Sequence, residues 1–263
     1  MKSAFLMLAA TLLILPEAGD AQSRVTFLPG WQMEDGRRMA GIRIQLEPGW
    51  KTYWRSPEGN GIPPQFDWGG SSNVADIKVH YPEPMIFTTY GVRSIGYQNE
   101  VVFPVEVTPQ DTKAPVDVAL DLFYGVCEEV CIPATAAIAA SVPPDAESEA
   151  LPVRLALATR ARSADEAGIQ HHTCKIIPAT DGFDVVATVS GSAPITPDVA
   201  VFETGREDLW ITPLSIQPHA SNVIIHAHMA YFGDGTMVVD RSALRLTLLG
   251  PGGAIELEGC PAA

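Results

Sequence analysis

From Arg24 onward the chain alternates apolar and polar residues with the period of two expected of half-buried strands. In Met39-Ala40-Gly41-Ile42-Arg43-Ile44-Gln45-Leu46, the side chains of Ile42, Ile44 and Leu46 fall on one face. Similar runs predict strands around Pro64–Trp68, Ile77–Tyr81, Val101–Val107, Val116–Phe123 and Ala134–Val142, and later at Phe183–Val189, Val199–Glu203, Asn222–Met229 and Leu244–Leu249. Turn chemistry separates them, as in Glu47-Pro48-Gly49 and in the Pro- and Gly-rich stretch from Arg55 to Pro64. Helical periodicity is confined to Leu151–Gly168, and Pro143 to Glu149 has the composition of a linker. The pattern predicts an all-β chain: a β-sandwich over residues 22–145, a linker and helix over 146–168, and a second β-rich domain over 169–263.

The first residues read differently. A basic start at Met1-Lys2, an apolar run from Ala4 to Leu15, and small residues in Gly19-Asp20-Ala21 predict a secretory signal peptide (residues 1–21) cleaved after Ala21. A membrane anchor needs about twenty apolar residues, and Pro16 and Glu17 arrive too early for one. No later run is long enough to span a bilayer, so the mature chain is expected to be soluble and exported. The formal net charge of −14 disfavours nucleic acid and anionic lipid surfaces as partners.

Four cysteines remain to be explained, and their spacing separates them into two kinds. Cys127 and Cys131 stand four residues apart after the strand-like run Val116–Phe123. A tight turn would bring facing Cα atoms to about 4.5–5.5 Å, inside the roughly 4.4–6.8 Å that a disulfide spans, and one helical turn would nearly do so as well. Closing so short a loop stabilises a fold by only about 2 kcal/mol, whereas a loop of about ninety residues, as between Cys174 and Cys260, contributes about 4.6 kcal/mol. Cys174–Cys260 therefore reads as a structural bridge. Cys127 and Cys131 read as a redox-active pair, a minor structural bridge or metal-binding thiols. Soft thiolates would suit Cu(I), with His171, His172, His226 or His228 as the available third ligands. No metal site is assigned on that basis, and no cofactor is expected. Phosphate-loop, His-Glu-x-x-His and Gly-x-Ser-x-Gly motifs are missing from the sequence. Trp50, Tyr53, Trp54 and Trp68 read as core aromatics rather than the floor of a sugar site, and Tyr124 and Phe123 as core.

Three motifs then carry a resemblance. They are Pro48-Gly49-Trp50-Lys51-Thr52-Tyr53-Trp54, then Thr89-Tyr90-Gly91 leading to Phe103-Pro104-Val105, and last Tyr124-Gly125-Val126-Cys127-Glu128-Glu129-Val130-Cys131-Ile132-Pro133. Residues 27–145 resemble the N-terminal periplasmic domain of the thiol:disulfide interchange protein DsbD family, closest to its suppressor-of-copper-sensitivity, ScsB-like branch. The resemblance implies an immunoglobulin-like domain in the periplasm. Its Cys127 and Cys131 would take electrons from a membrane DsbD/ScsB-type transmembrane protein and pass them to thioredoxin-like or disulfide-isomerase clients. It also implies that Tyr90 and Gly91 form a cap over the sulfurs. Glu128 and Glu129, between the thiols, are expected to tune them by disfavouring thiolate. DsbD itself has more residues between its cysteines, and a second cap aromatic there falls on Thr89 here. Family members often continue into membrane and thioredoxin-like domains; this chain ends at Ala263, so its electrons are expected from another polypeptide. A copper-tolerance protein binding Cu(I) through the same cysteines, and a non-catalytic assembly module, are the competing readings.

Overall fold

The computed structural model describes residues 22–58, 61–89, 91–145, 147–148, 150–180, 182–234 and 237–263. Residues 1–21, where the sequence predicts a signal peptide, and Tyr90 lie outside the described residues. Ten strands come first: β1 (Ser23–Gln32), β2 (Arg38–Leu46), β3 (Lys51–Tyr53), β4 (Gln65–Asp67), β5 (Val74–Val79), β6 (Met85–Thr89), β7 (Val92–Gln98), β8 (Glu100–Pro109), β9 (Val116–Cys127) and β10 (Cys131–Val142). A short β11 (Glu147–Ser148) and helix α1 (Ala150–Ala158) follow. Then come β12 (Ile169–Ala179), β13 (Gly182–Gly191), β14 (Val199–Glu203), β15 (Leu209–His219), β16 (Asn222–Tyr231), β17 (Arg245–Leu249) and β18 (Ile255–Glu258). The chain is all-β with immunoglobulin-like sheets, as expected.

The first half forms two antiparallel sheets, β11-β1-β2-β8-β5 and β10-β9-β3-β7-β6, with β4 paired to β9. Their facing sides close one core, and β9 and β10 turn alternate residues into it. Along β9, Val116, Val118, Leu120, Leu122, Tyr124 and Val126 are all buried, while Asp117, Asp121 and Phe123 face out. Tyr124 is fully buried and bonds the Ser23 hydroxyl at 2.7 Å. Phe123, read as core from the sequence, is 38% exposed because it falls on the odd, outward parity of β9. β2 breaks the alternation and is buried on both faces, since α1 covers the outer side of its sheet. Leu28, Met39, Val102 and Val153 form that small second layer. Gly41 permits the close approach: a Cβ there would stand 2.8 Å from a Val153 methyl.

Two expectations are corrected between the halves. The helix ends at Ala158 rather than Gly168. Arg160 and Arg162 instead enter isolated bridges with Pro82 and Ile255. Ser163 and Glu166 then close a single turn by reciprocal caps, the Glu166 carboxylate accepting from the Ser163 N–H and the Glu166 N–H donating to the Ser163 hydroxyl. The linker-like residues Glu147 and Ser148 pair with Trp31 and Gly30 as an edge strand.

The second half packs β12-β13-β16-β15 against β14-β17-β18 around its own core. The halves also meet. Val199, Val201, Leu249 and Ala254 join the core of the first half. Arg55 reaches across to the carboxylates of Glu203, at 2.9 Å, and Glu256, with its guanidinium over the rings of Trp54 and Tyr81. Burial alone would lower the Arg55 pKa, but the two carboxylates outweigh it and raise it. Arg55→Ala leaves two half-buried carboxylates facing each other, with the more distant Arg245 guanidinium 3.9 and 3.7 Å away. That substitution should cost about 3 kcal/mol, read as a lowered urea midpoint. No helix among the described residues is long and apolar enough to cross a membrane.

Candidate redox site

Cys127 ends β9 and Cys131 begins β10, and the two are register partners across the hairpin. Their Cα atoms are 4.1 Å apart and their sulfurs are bonded to each other. The turn between them, Glu128-Glu129-Val130, is wholly exposed. Both cysteines sit on the odd parity of their strands, which places them on the outer face of the sheet, away from the core. They are nevertheless unequal. Cys127 is only 5% exposed, whereas Cys131 is open to solvent.

The neighbour that makes the site is Tyr53. Its hydroxyl lies 2.8 Å from the Cys131 sulfur. Two glycines hold its ring. A Cβ on Gly61 would stand 2.7 Å from one ring edge, and one on Gly125 would stand 3.0 Å from the other. Because Gly125 has no side chain, Tyr53 on β3 can lie across β9 and reach the sulfur on β10. The Gly125 backbone is fixed in turn, its N–H donating to the Ile62 carbonyl at 3.1 Å and its carbonyl accepting from the Thr52 hydroxyl at 2.8 Å. Burial raises the Tyr53 pKa, so the phenol keeps its proton and is a donor at neutral pH. Sequence reasoning read Tyr53 as a core aromatic. The available signal was its parity: Thr52 is buried beside it, and the glycine of Tyr124-Gly125 marks a strand position with room above it.

Lys51 is directly opposite Cys127 in the β3–β9 ladder, with its ammonium 5.3 Å from the centre of the Phe87 ring. It places a positive charge on the same face as the pair. Glu128 lies against the turn before β3, a carboxylate oxygen 3.0 Å from where a Cβ on Gly49 would be. Gly91 turns the β6–β7 hairpin in the left-handed region (φ 79°), with open space around it.

Cys174 and Cys260 are bonded as well, with Cα atoms 5.4 Å apart, and both are buried. The Cys174 N–H donates to Pro261 O, the Cys260 N–H donates to Arg241 O, and the Arg241 guanidinium donates to both cysteine carbonyls at 3.0 Å. That backbone cage leaves no sulfur accessible. The histidines weighed as copper ligands, His171, His172, His226 and His228, are in the second half. His226 and His228 share the outer face of β16, where His228 lies 3.6 Å from Asp184, and the His172 ring is 3.2 Å from the Glu258 carbonyl. Among the described residues no three His, Cys, Asp or Glu side chains gather as a metal site.

A family model described as "Thiol:disulfide interchange protein DsbD, N-terminal" matches residues 24–143, which contain the whole pair and its surroundings. The crystal structure of the N-terminal periplasmic domain of ScsB from Proteus mirabilis is similar in fold, with a TM-score of 0.68 at 20% identity. The match covers 95% of this chain and 97% of that one, so it includes both halves. No curated protein matches the chain.

Proposed function

We propose that this chain is a periplasmic protein-disulfide reductase that relays electrons through Cys127 and Cys131, a reading supported by the match of residues 24–143 to the family model of DsbD N-terminal thiol–disulfide interchange modules. The observation that carries the reading is the asymmetry of the pair: one sulfur exposed beside a hydroxyl donor, its partner buried behind it. In the reduced state the Cys131 thiolate attacks one sulfur of a client disulfide. That bond breaks, a Cys131–client bond forms, and the client's other sulfur leaves as a thiolate that takes a proton. The Cys127 thiolate then attacks the Cys131 sulfur and expels the client thiol. The client gains two electrons and the Cys127–Cys131 bridge is restored. A membrane DsbD/ScsB-type protein re-reduces the pair, and thioredoxin-like or isomerase proteins are the clients.

The other residues have supporting roles. Tyr53 donates to the Cys131 thiolate. Lys51 favours the Cys127 thiolate, while Glu128 and Glu129 oppose thiolate formation and restrain indiscriminate exchange. The β6–β7 turn, with Gly91 at its left-handed position, is the segment to which the family resemblance assigns the covering of the sulfurs between encounters. Residues 22–145 carry the chemistry, 146–168 connect, and 169–263, tied by Cys174–Cys260, form the second domain.

Equilibration against glutathione and thioredoxin buffers, with thiol trapping and mass mapping, tests the proposal. Cys127–Cys131 should open reversibly while Cys174–Cys260 stays closed; two bridges that open only on unfolding would refute the relay. Tyr53→Phe should move the midpoint of the pH–rate profile for attack on a small disulfide up by about one unit. About tenfold less thiolate, partly offset by the greater nucleophilicity of a more basic sulfur, leaves the rate at neutral pH about threefold lower.

A further inference from the structure

The strand that begins at Cys131 differs from the other sheet edges. β10 borders its sheet and pairs only with β9 among the described residues. It runs for 12 residues, Cys-Ile-Pro-Ala-Thr-Ala-Ala-Ile-Ala-Ala-Ser-Val, without one charge. Long uncharged edges invite pairing with other chains, and proteins blunt them with charge, proline or brevity. The remaining edges here are blunted in those ways. β5 carries Asp76 and Lys78, β12 carries Lys175 and Pro178, and β15 carries Pro213 and Pro218. β6, β11, β14 and β18 have five residues or fewer. On β10 the one such device is Pro133, near the start.

The backbone of β10 is aimed outward at the positions that matter. On β9 the odd-numbered residues turn their peptide groups away from β10. Gly125 bonds Ile62 and Thr52, Ala119 bonds Ser71 through both its N–H and its carbonyl, and Asp117 bonds Ser72. Their register partners on β10 are therefore the non-hydrogen-bonded pairs of the hairpin, and these alternate along the ladder. It follows that Cys131, Thr135, Ala137, Ala139 and Ser141 point their own N–H and C=O groups to the open side. All five are exposed.

We propose that the open edge of β10 is the docking site for an extended, uncharged segment of an oxidised client, which adds to the sheet as a strand with one cysteine of its disulfide opposite Cys131. The geometry suits exchange. A residue hydrogen-bonded across from Cys131 has its Cα about 5.5 Å away, which is the separation at which disulfides most often form. Cys127 then stands on one side of Cys131 and the client sulfur on the other, all on one face. Breaking one S–S bond at Cys131 while forming the next requires that opposed placement. Main-chain pairing supplies affinity without a defined side-chain sequence, which fits a reductant of several clients. The inference rests on Cys131 being the sulfur that meets the client.

The test uses the Cys127→Ser chain, which cannot resolve a mixed disulfide. It is offered a peptide of alternating threonine and valine whose central cysteine is held as its thionitrobenzoate disulfide. Two further versions are N-methylated, one at every second residue counted from the cysteine and one at the residues between. The first methylation removes the N–H groups that would face β10; the second removes those that would face away. In-phase methylation should slow thionitrobenzoate release about tenfold, and out-of-phase methylation should leave it as in the parent peptide. Equal release from all three, or equal slowing by both methylations, overturns strand addition while leaving the relay intact. Failure of Cys131 to react with any of them refutes the relay itself, and the docking proposal with it.

Discussion

Cys131→Ser should abolish reduction of protein disulfides, whereas Cys127→Ser should still attack once and then stop as a trapped mixed disulfide. The difference follows from burial. Cys131 is open to solvent on the first residue of an edge strand, and Cys127 is 5% exposed behind it. Substituting the outer sulfur removes the atom that meets the client. Substituting the inner one removes only the resolving step, so one equivalent of client should accumulate in covalent complex, visible on a non-reducing gel and released by dithiothreitol. The stability of either variant should fall little, because a loop this short contributes about 2 kcal/mol at most in the chain-entropy model. Lost activity without lost folding is therefore the expected signature. Trapping through Cys127 in the Cys131→Ser chain would reverse the assigned order of attack.

The second large effect is expected at the other bridge and is of the opposite kind. Replacing Cys174 and Cys260 together by alanine should destabilise the fold by about 4.6 kcal/mol, because their bond closes a loop with a sequence separation of 86. For a chain of this size that lowers the melting temperature by roughly 8–9 °C. The electron relay below that temperature should be unaffected, since neither cysteine touches Tyr53, Cys127 or Cys131. Calorimetry of the double variant, with the rate of small-disulfide reduction measured at 20 °C or below, separates the two bridges. A redox defect at full stability would contradict a purely structural role for Cys174–Cys260.

Much of the candidate site was legible because it is local. Cys127 and Cys131 flank one turn, and the strand periodicity on either side of them predicts a hairpin that faces them across it. Lys51, Tyr53 and Gly61 were not legible as parts of the site, although two of them lie in a motif that was noticed. Their roles depend on β3 lying beside β9, a pairing between residues more than seventy positions apart. In the same way, Arg55 looked like the start of a loop and is the ion-paired contact between the halves. The overlong helix failed for a complementary reason. The apolar spacing of Leu151 to Ala158 continues weakly into Ala161–Ala167, but Arg160 and Arg162 gain bridges to residues distant in sequence, Pro82 and Ile255, that a longer helix would forgo.

What the sequence by itself determined is the two-residue alternation, the places of the turns and the proximity of Cys127 to Cys131, all of which depend on neighbours along the chain. What only the tertiary structure decided is which sulfur is buried, which hydroxyl stands beside the other, and which strand is left at an edge. Those depend on the order of strands in a sheet. Hydrophobic alternation sets which face of a strand is buried but is silent about which strand lies next to it.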